Sequence, residues 1–237
     1  MPTIAIVGAG PGLGLAIART FGSRGFDVAL ISRSREKLES LVTELAQDGI
    51  TAAAFPADVR DRPALTQALA DAASRFGRID VLEYSPVAKE PGATILATPA
   101  NLAPDEVQPE IESQLYGAIT ATRAVLPAMR EAGTGTLLFT TGAGSVDPVP
   151  EVGTVNAAAA ALRNWVINLN RELAGTGVYA AHVGIDVSID VSMIPGFPVA
   201  PATEIAKAYW DLHIDRTKSE FIFKKKAPFE LTDLPYF

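Results

Sequence analysis

Apolar residues in this chain follow two alternating patterns: short runs that are apolar almost throughout, and longer segments in which they return every three or four positions. The short runs are "TIAIV" from Thr3, "DVALIS" from Asp27, "TAAAF" from Thr51, "IDVLEY" from Ile79, "GTLLFTT" from Gly135, "VYAAHV" from Val178 and "EFIF" from Glu220. Near-continuous apolarity over so few residues fits strands covered on both faces. Between them, Leu162, Trp165, Val166, Leu169 and Leu173 fall on one face of a helix, and Ile111, Leu115, Ile119, Thr122, Leu126 and Met129 do the same in an earlier segment. Both stripes read as core packing. The alternation predicts an α/β fold, a single doubly wound Rossmann-type domain over residues 1–237 with a mostly parallel seven-stranded sheet.

Composition removes several classes of function. A net charge of −7 opposes binding to phosphate backbones, and the one dense basic run, Lys224-Lys225-Lys226, stands beside apolar residues, so no nucleic-acid role is expected. There is no cysteine, hence no disulfide and no thiolate nucleophile. His182 and His213 lack metal-ligand spacing, so no metal site is expected, and His182 reads as packing inside the sixth strand. Redox chemistry here requires a bound cofactor. The start "MPTIAIVGAG" has no basic leader, and no stretch approaches about 18 apolar residues, which predicts a cytoplasmic protein without a membrane role.

The first strand runs into Gly8-Ala9-Gly10-Pro11-Gly12-Leu13-Gly14. The spacing G-x-G-x-x-G fails, because Leu13 stands three past Gly10; G-x-x-x-G-x-G fits through Gly8, Gly12 and Gly14. Strand, glycine-rich turn and helix in that order let backbone N–H groups, that of Leu13 included, approach a pyrophosphate at the positive end of the helix.

With this loop, Asp58 in "ADVRD" at the end of the third strand, "LPAM" from Leu126 and "GTLLFTT" from Gly135, the chain resembles the short-chain dehydrogenase/reductase family over about its whole length. The resemblance implies an adenine ring met by Asp58 with Val59 beside it, a small-molecule substrate, and a homodimer or homotetramer formed through two long helices. An NAD-preferring enzyme generally has a carboxylate at the end of the second strand for the ribose hydroxyls. Here Ser32 stands there, followed by Arg33, with Arg35 as a second candidate; this pair suits a 2′-phosphate, so NADP(H) is expected over NAD(H).

The family runs its reaction with a serine after the fifth strand, a Tyr-x-x-x-Lys pair on the next long helix and an asparagine on the helix before. Aligning "TVNAAAAAL" places Val155 and Ala159 at the pair, or Thr154 and Ala158 after a shift by one, and no lysine lies between Lys89 and Lys207. The usual tyrosine-driven chemistry is not encoded in either register. The serine aligns with Thr141, the asparagine with Gln114, the Asn-Asn-Ala-Gly segment with Tyr84-Ser85-Pro86-Val87, and a Pro-Gly pair with Ile185-Asp186. Hydroxyl, amide and carboxylate groups survive at these positions, which reads as a rebuilt site.

Each candidate has two readings. Thr141 hydrogen-bonds a substrate, or caps backbone at a strand end. Gln114 orients a polar group, or belongs to a satisfied amide network. Tyr84 replaces the lost tyrosine, or packs. Asp186 protonates a nascent amine or holds an iminium, or simply opens a loop. Asp190 and Glu151 are weaker versions of the same idea. The expectation is an NADPH-dependent reductase of an organic carbonyl, imine or enone with a non-standard proton donor, its substrate lying between cofactor and a mobile loop from Asp186 to Pro201. The alternative is a non-redox cyclase or isomerase, or a dinucleotide-binding sensor, on the same scaffold.

Overall fold

A computed structural model describes residues 1–87, 98–192 and 196–225. In chain order the elements are β1 (Thr3–Val7), α1 (Leu13–Gly22), β2 (Asp27–Ile31), α2 (Arg35–Gln47), β3 (Ala52–Ala54), α3 (Arg62–Phe76) and β4 (Val81–Tyr84). There follow α4 (Pro104–Ile111), α5 (Gly117–Glu131), β5 (Gly135–Gly142), α6 (Gly153–Glu172), β6 (Val178–Asp186), β7 (Ser188–Ile189), β8 (Val199–Ala200), α7 (Ala202–Asp215) and β9 (Glu220–Lys224). Each of the seven apolar runs becomes a strand of one sheet, in the order β3-β2-β1-β4-β5-β6-β9, and every pairing in it is parallel. β7 and β8 form a separate parallel pair inside the expected substrate loop.

Alternate side chains of the five central strands enter two cores, while the edge strands β3 and β9 add partly buried side chains to one of them. On one face Ile4 and Ile6 of β1 pack with Phe21, Leu38, Leu41 and Tyr209 from α1, α2 and α7. On the other, Ala5 and Val7 pack with Leu65, Leu69, Val125, Leu162 and Val166 from α3, α5 and α6. A strand buried on both sides cannot carry alternating polarity, which is why the runs are apolar throughout. Side-chain caps fix where two helices begin: Ser34 accepts from the Lys37 N–H at 3.3 Å, and Asp61 from the Ala64 N–H at 3.0 Å.

The stripe expected from Ile111 to Met129 is only half right. Between α4 and α5 the chain makes a π-helical turn, Glu112–Tyr116, in which the Gly117 N–H reaches back five residues to the Glu112 carbonyl. The extra residue in that turn shifts the helical period, so the buried face of α5 is Ala118, Ala121, Thr122, Val125 and Met129, while Ile111, Leu115, Ile119 and Leu126 are only partly buried. Among the described residues no helix is long and apolar enough to cross a membrane.

Strand order reverses between β1 and β4, so the connections leaving their carboxyl ends depart to opposite faces and open a crevice. The loop after β1, the ends of β4 and β5, and the segment after β6 all converge on that edge.

Candidate functional site

The loop between β1 and α1 hangs from β2: the Gly8 and Ala9 N–H groups both donate to the Ile31 carbonyl, at 2.9 and 3.1 Å. Gly8 holds φ +98°. A Cβ on Gly14 would stand 3.1 Å from the Ala9 Cα, so glycine there lets the helix seat closely against the turn. On the outer side the loop is open, for a Cβ on Gly10 or Gly12 would meet nothing nearer than 4.0 Å. Gly12 caps α1 with no side-chain hydrogen bond. Backbone N–H groups at a positive helix end behind an open wall of glycine form a cradle that fits a pyrophosphate.

At the end of β2, Ser32 is half-buried and its carbonyl accepts from the Ala57 N–H at 3.0 Å, while Arg33 is exposed just before the Ser34 cap of α2. Asp58 accepts from the Arg60 N–H at 2.9 Å through Oδ1 and holds the Arg60 guanidinium at 3.5 Å through Oδ2. Val59 follows it, its carbonyl lying against Gly117. These residues border the same edge as the glycine loop.

Thr141, near the end of β5, carries the densest set of polar contacts in the site. Its Oγ1 lies 2.7 Å from His182 Nε2 and 3.0 Å from Ser145 Oγ. His182, on β6, has no exposed surface, and its Nδ1 lies 3.2 Å from Glu220 Oε2 on β9. Glu220 is gripped in turn by Arg163 of α6, through Nη2 to Oε1 at 3.0 Å and through Nε to Oε2. Burial pushes the His182 imidazole down to about 4 against the upward pull of Glu220, and the Arg163 hydrogen bonds hold Glu220 below its ordinary value. Glu220 is therefore an ionised acceptor, which places the neutral imidazole's proton on Nδ1 and leaves Nε2 to accept from the Thr141 hydroxyl. His182 does pack in the sixth strand as expected, but it also bridges Thr141 and Glu220. The sequence hid this bridge because its members lie 41, 38 and 57 residues apart; only the β6–β9 register, which sets His182 opposite Glu220, unites them.

Tyr84 faces the other way. It is fully buried, its hydroxyl donates to the Ser113 carbonyl in the π turn, and its ring lies under Gly117, where any Cβ would overlap the hydroxyl. Burial, with Asp58 second, holds its phenol well above the ordinary value. This geometry corrects the reading in which Tyr84 replaces the lost tyrosine: a phenol sealed from the crevice and already donating to backbone is a packing group. Gln114 sits in the same π turn, almost buried, with Nε2 donating to Glu110 Oε2 at 2.8 Å. On α6, Val155 and Ala159 occupy one face, and Arg163 continues it one turn on.

Asp186 ends β6 half-buried and opposite Lys224 in register. Burial raises its carboxyl, with Lys224 opposing that shift and Asp147 adding to it. Asp190 is held at φ +61° and caps α7, its Oδ1 accepting from the Ala202 N–H at 2.8 Å; it anchors that helix beside Gly12. Glu151 has a buried Oε2 with no hydrogen-bond partner among the described residues. The expected lid lies partly outside the described residues, at 193–195. Its flanks are tied by the β7–β8 pair and by the Ser188 N–H donating to the Pro198 carbonyl at 2.8 Å.

Comparison with known proteins matches residues 2–187 to a family described as short chain dehydrogenase. The ketoacyl reductase HetN of a Nostoc species is 31% identical over 198 residues, covering 80% of this chain and 67% of its own. A putative ketoacyl reductase of Streptomyces coelicolor is 31% identical over 220 residues, covering 91% of this chain and 78% of its own. Among solved structures, an actinorhodin polyketide ketoreductase variant with NADPH superposes with a TM-score of 0.81 at 25% identity, over 93% of this chain and 95% of that one.

Proposed function

The chain belongs to the short-chain dehydrogenase/reductase family and is a nicotinamide-dependent oxidoreductase of the carbonyl-reductase kind, and we propose that it uses NADP(H) on an organic carbonyl, imine or enone without the family's tyrosine acid. The observation that carries this reading is the backbone cradle running from Gly8 through Gly12 and Leu13 to Gly14, open on its outer side at Gly10 and Gly12 and set at the switch point of the sheet. When bound, the nicotinamide supplies the hydride. The chain's own residues hold and orient: the glycine loop takes the pyrophosphate, Asp58 and Val59 border the adenine, and Ser32 with Arg33 receives the 2′-phosphate.

Around the reacting carbon, Thr141 presents its hydroxyl and Gln114 an amide, and Asp186 sets the charge at the base of the substrate loop. An iminium carbon is already electrophilic and needs no acid, so it suits a site with Val155 and Ala159 where the tyrosine and lysine would stand. The relatives' names put ketoacyl compounds among the first substrates to try, and β-ketoacyl thioesters are one such class. Assembly is expected as a homodimer or homotetramer through the two long helices, α5 and α6.

The test is NADPH consumption against β-ketoacyl thioesters, cyclic ketones, enones and cyclic imines. Turnover with one class supports the reading. Binding of NADPH with no consumption across the panel overturns it in favour of a non-redox cyclase, isomerase or sensor.

A further inference from the structure

Resting on that oxidoreductase reading, we propose that Thr141, His182 and Glu220 form a proton relay serving the alcohol–carbonyl interconversion, in which Thr141 is the catalytic residue and His182, Glu220 and Arg163 position and charge it. The order is hydroxyl, imidazole, carboxylate, with contacts of 2.7 Å and 3.2 Å. A hydroxyl that donates to Nε2 turns its lone pairs outward, so position 141 meets the substrate as an acceptor rather than as a donor. Thr141 Oγ1 is also within donating distance, 3.0 Å, of Ser145 Oγ and of the Gly142 carbonyl, so its lone pairs are left to the substrate.

In the oxidative direction the alcohol's O–H bond breaks and its proton passes to Thr141 Oγ1 while the Thr141 proton passes to His182 Nε2. The carbinol C–H bond breaks with its electron pair, and the hydride reduces an oxidised nicotinamide dinucleotide. The products are the carbonyl compound, the reduced dinucleotide and an imidazolium paired with Glu220. Reduction runs the same bonds backward, with the imidazolium returning the proton. The arrangement takes over the task that the missing tyrosine and lysine leave open: the helix face carrying Val155 and Ala159 is apolar, and its charge reappears one turn on at Arg163, which reaches the relay through Glu220.

The charged groups facing the imidazole are Glu220 from β9 and Arg163 from α6, with Thr141 from β5 as the neutral partner. Glu220 and Arg163 keep 25% and 31% of their side chains exposed, so the buried ring is linked to solvent at the end away from Thr141.

Two measurements test this. The chain has only two histidines, so nitrogen NMR resolves the His182 ring, with a His213 variant to assign it. The relay requires the Nδ1–H form with Nε2 unprotonated at neutral pH in the free protein; an Nε2–H ring overturns it without any substrate present. The second measurement is the pH profile of kcat/KM for NADP⁺ reduction by a panel of secondary alcohols. Thr141→Ser should retain most activity, and Thr141→Val should lose on the order of 10²–10⁴-fold. Glu220→Gln should lose activity and move the acid limb of the profile, a change that packing alone does not produce. Parent turnover with Thr141→Val and Glu220→Gln equally active and the profile unmoved overturns the relay alone. A parent that turns over nothing in either direction overturns the reductase reading and the relay with it.

Discussion

Gly8 and Pro86 meet across the switch point so closely that a Cβ on Gly8 would stand 2.6 Å from the Pro86 nitrogen. Gly8 also holds φ +98°, where an L side chain costs roughly 1–2 kcal/mol. Gly25 offers a matched control: φ is +88° but nothing lies within 4 Å of its Cβ direction. Gly25→Ala should therefore show the backbone strain alone, and Gly8→Ala the strain plus a displacement of the loop after β4. Urea unfolding should rank Gly8→Ala as the more destabilised, and only Gly8→Ala should weaken NADPH in a binding titration. Equal effects of the two substitutions would mean that the contact with Pro86 is readily relaxed.

Cofactor choice is tested at Arg33. Arg33→Ala should weaken NADPH by about 1–3 kcal/mol, the range of a charge-assisted contact, and leave NADH unchanged. Calorimetric titration of both dinucleotides reads the difference directly; equal affinities in the parent and in the variant would reverse the NADP(H) assignment.

Glu83 makes stability fall as pH rises from about 4.5 to about 8, and the fall levels off above that. It is fully buried on β4, and burial pushes its carboxyl up to about 8 against the hydroxyls of Thr140 and Ser85, each donating at 2.9 Å. The folded protein thus keeps a proton that the unfolded chain releases above about pH 4.5, and stability declines as pH rises through about 8. His182 and His213, both pushed down to about 4 by burial, have the opposite slope, but only below their ordinary 6.5. The interval from pH 7 to pH 8 isolates Glu83. The parent should lose about 1 kcal/mol across it, and Glu83→Gln should be flat. A flat parent curve would show that Glu83 is ionised in the fold.

Asp186 should discriminate substrates by charge. Asp186→Asn should raise KM for a cationic cyclic imine about 10-fold, roughly 1.4 kcal/mol, and leave KM for a neutral ketone where it was. A common rise for both substrates would assign Asp186 to loop structure through its pairing with Lys224.

Legibility in the sequence followed the range of the interaction. The five central strands were visible because a strand covered on both faces must be apolar along its length, the edge strands β3 and β9 by their short apolar runs although they are only partly buried, and the glycine loop because its spacing is local. The stripe through Ile119 and Leu126 misled because one π turn resets the helical phase, and no residue type announces such a turn. Tyr84 looked available because a strand-end tyrosine carries no mark of what lies over it; Gly117 and the Ser113 carbonyl decide that. His182 looked inert for the same reason. Its partners arrive from β5, β9 and α6, and strand register is the one thing that a pattern of apolar residues does not report.

The place of β9 in the sheet also governs the order in which the molecule can be finished. It is the last strand among the described residues yet pairs with β6, which ends 34 residues earlier, and until it docks His182 lacks its carboxylate and one side of β6 lacks a neighbour. On a ribosome, where synthesis proceeds from the amino end, the glycine loop and the first four strands emerge and pair well before Glu220 leaves the exit tunnel. A nascent chain can therefore gain the capacity to bind a dinucleotide before its buried histidine is committed to one tautomer, and dinucleotide present during translation would stabilise the growing sheet while its open edge awaits β9.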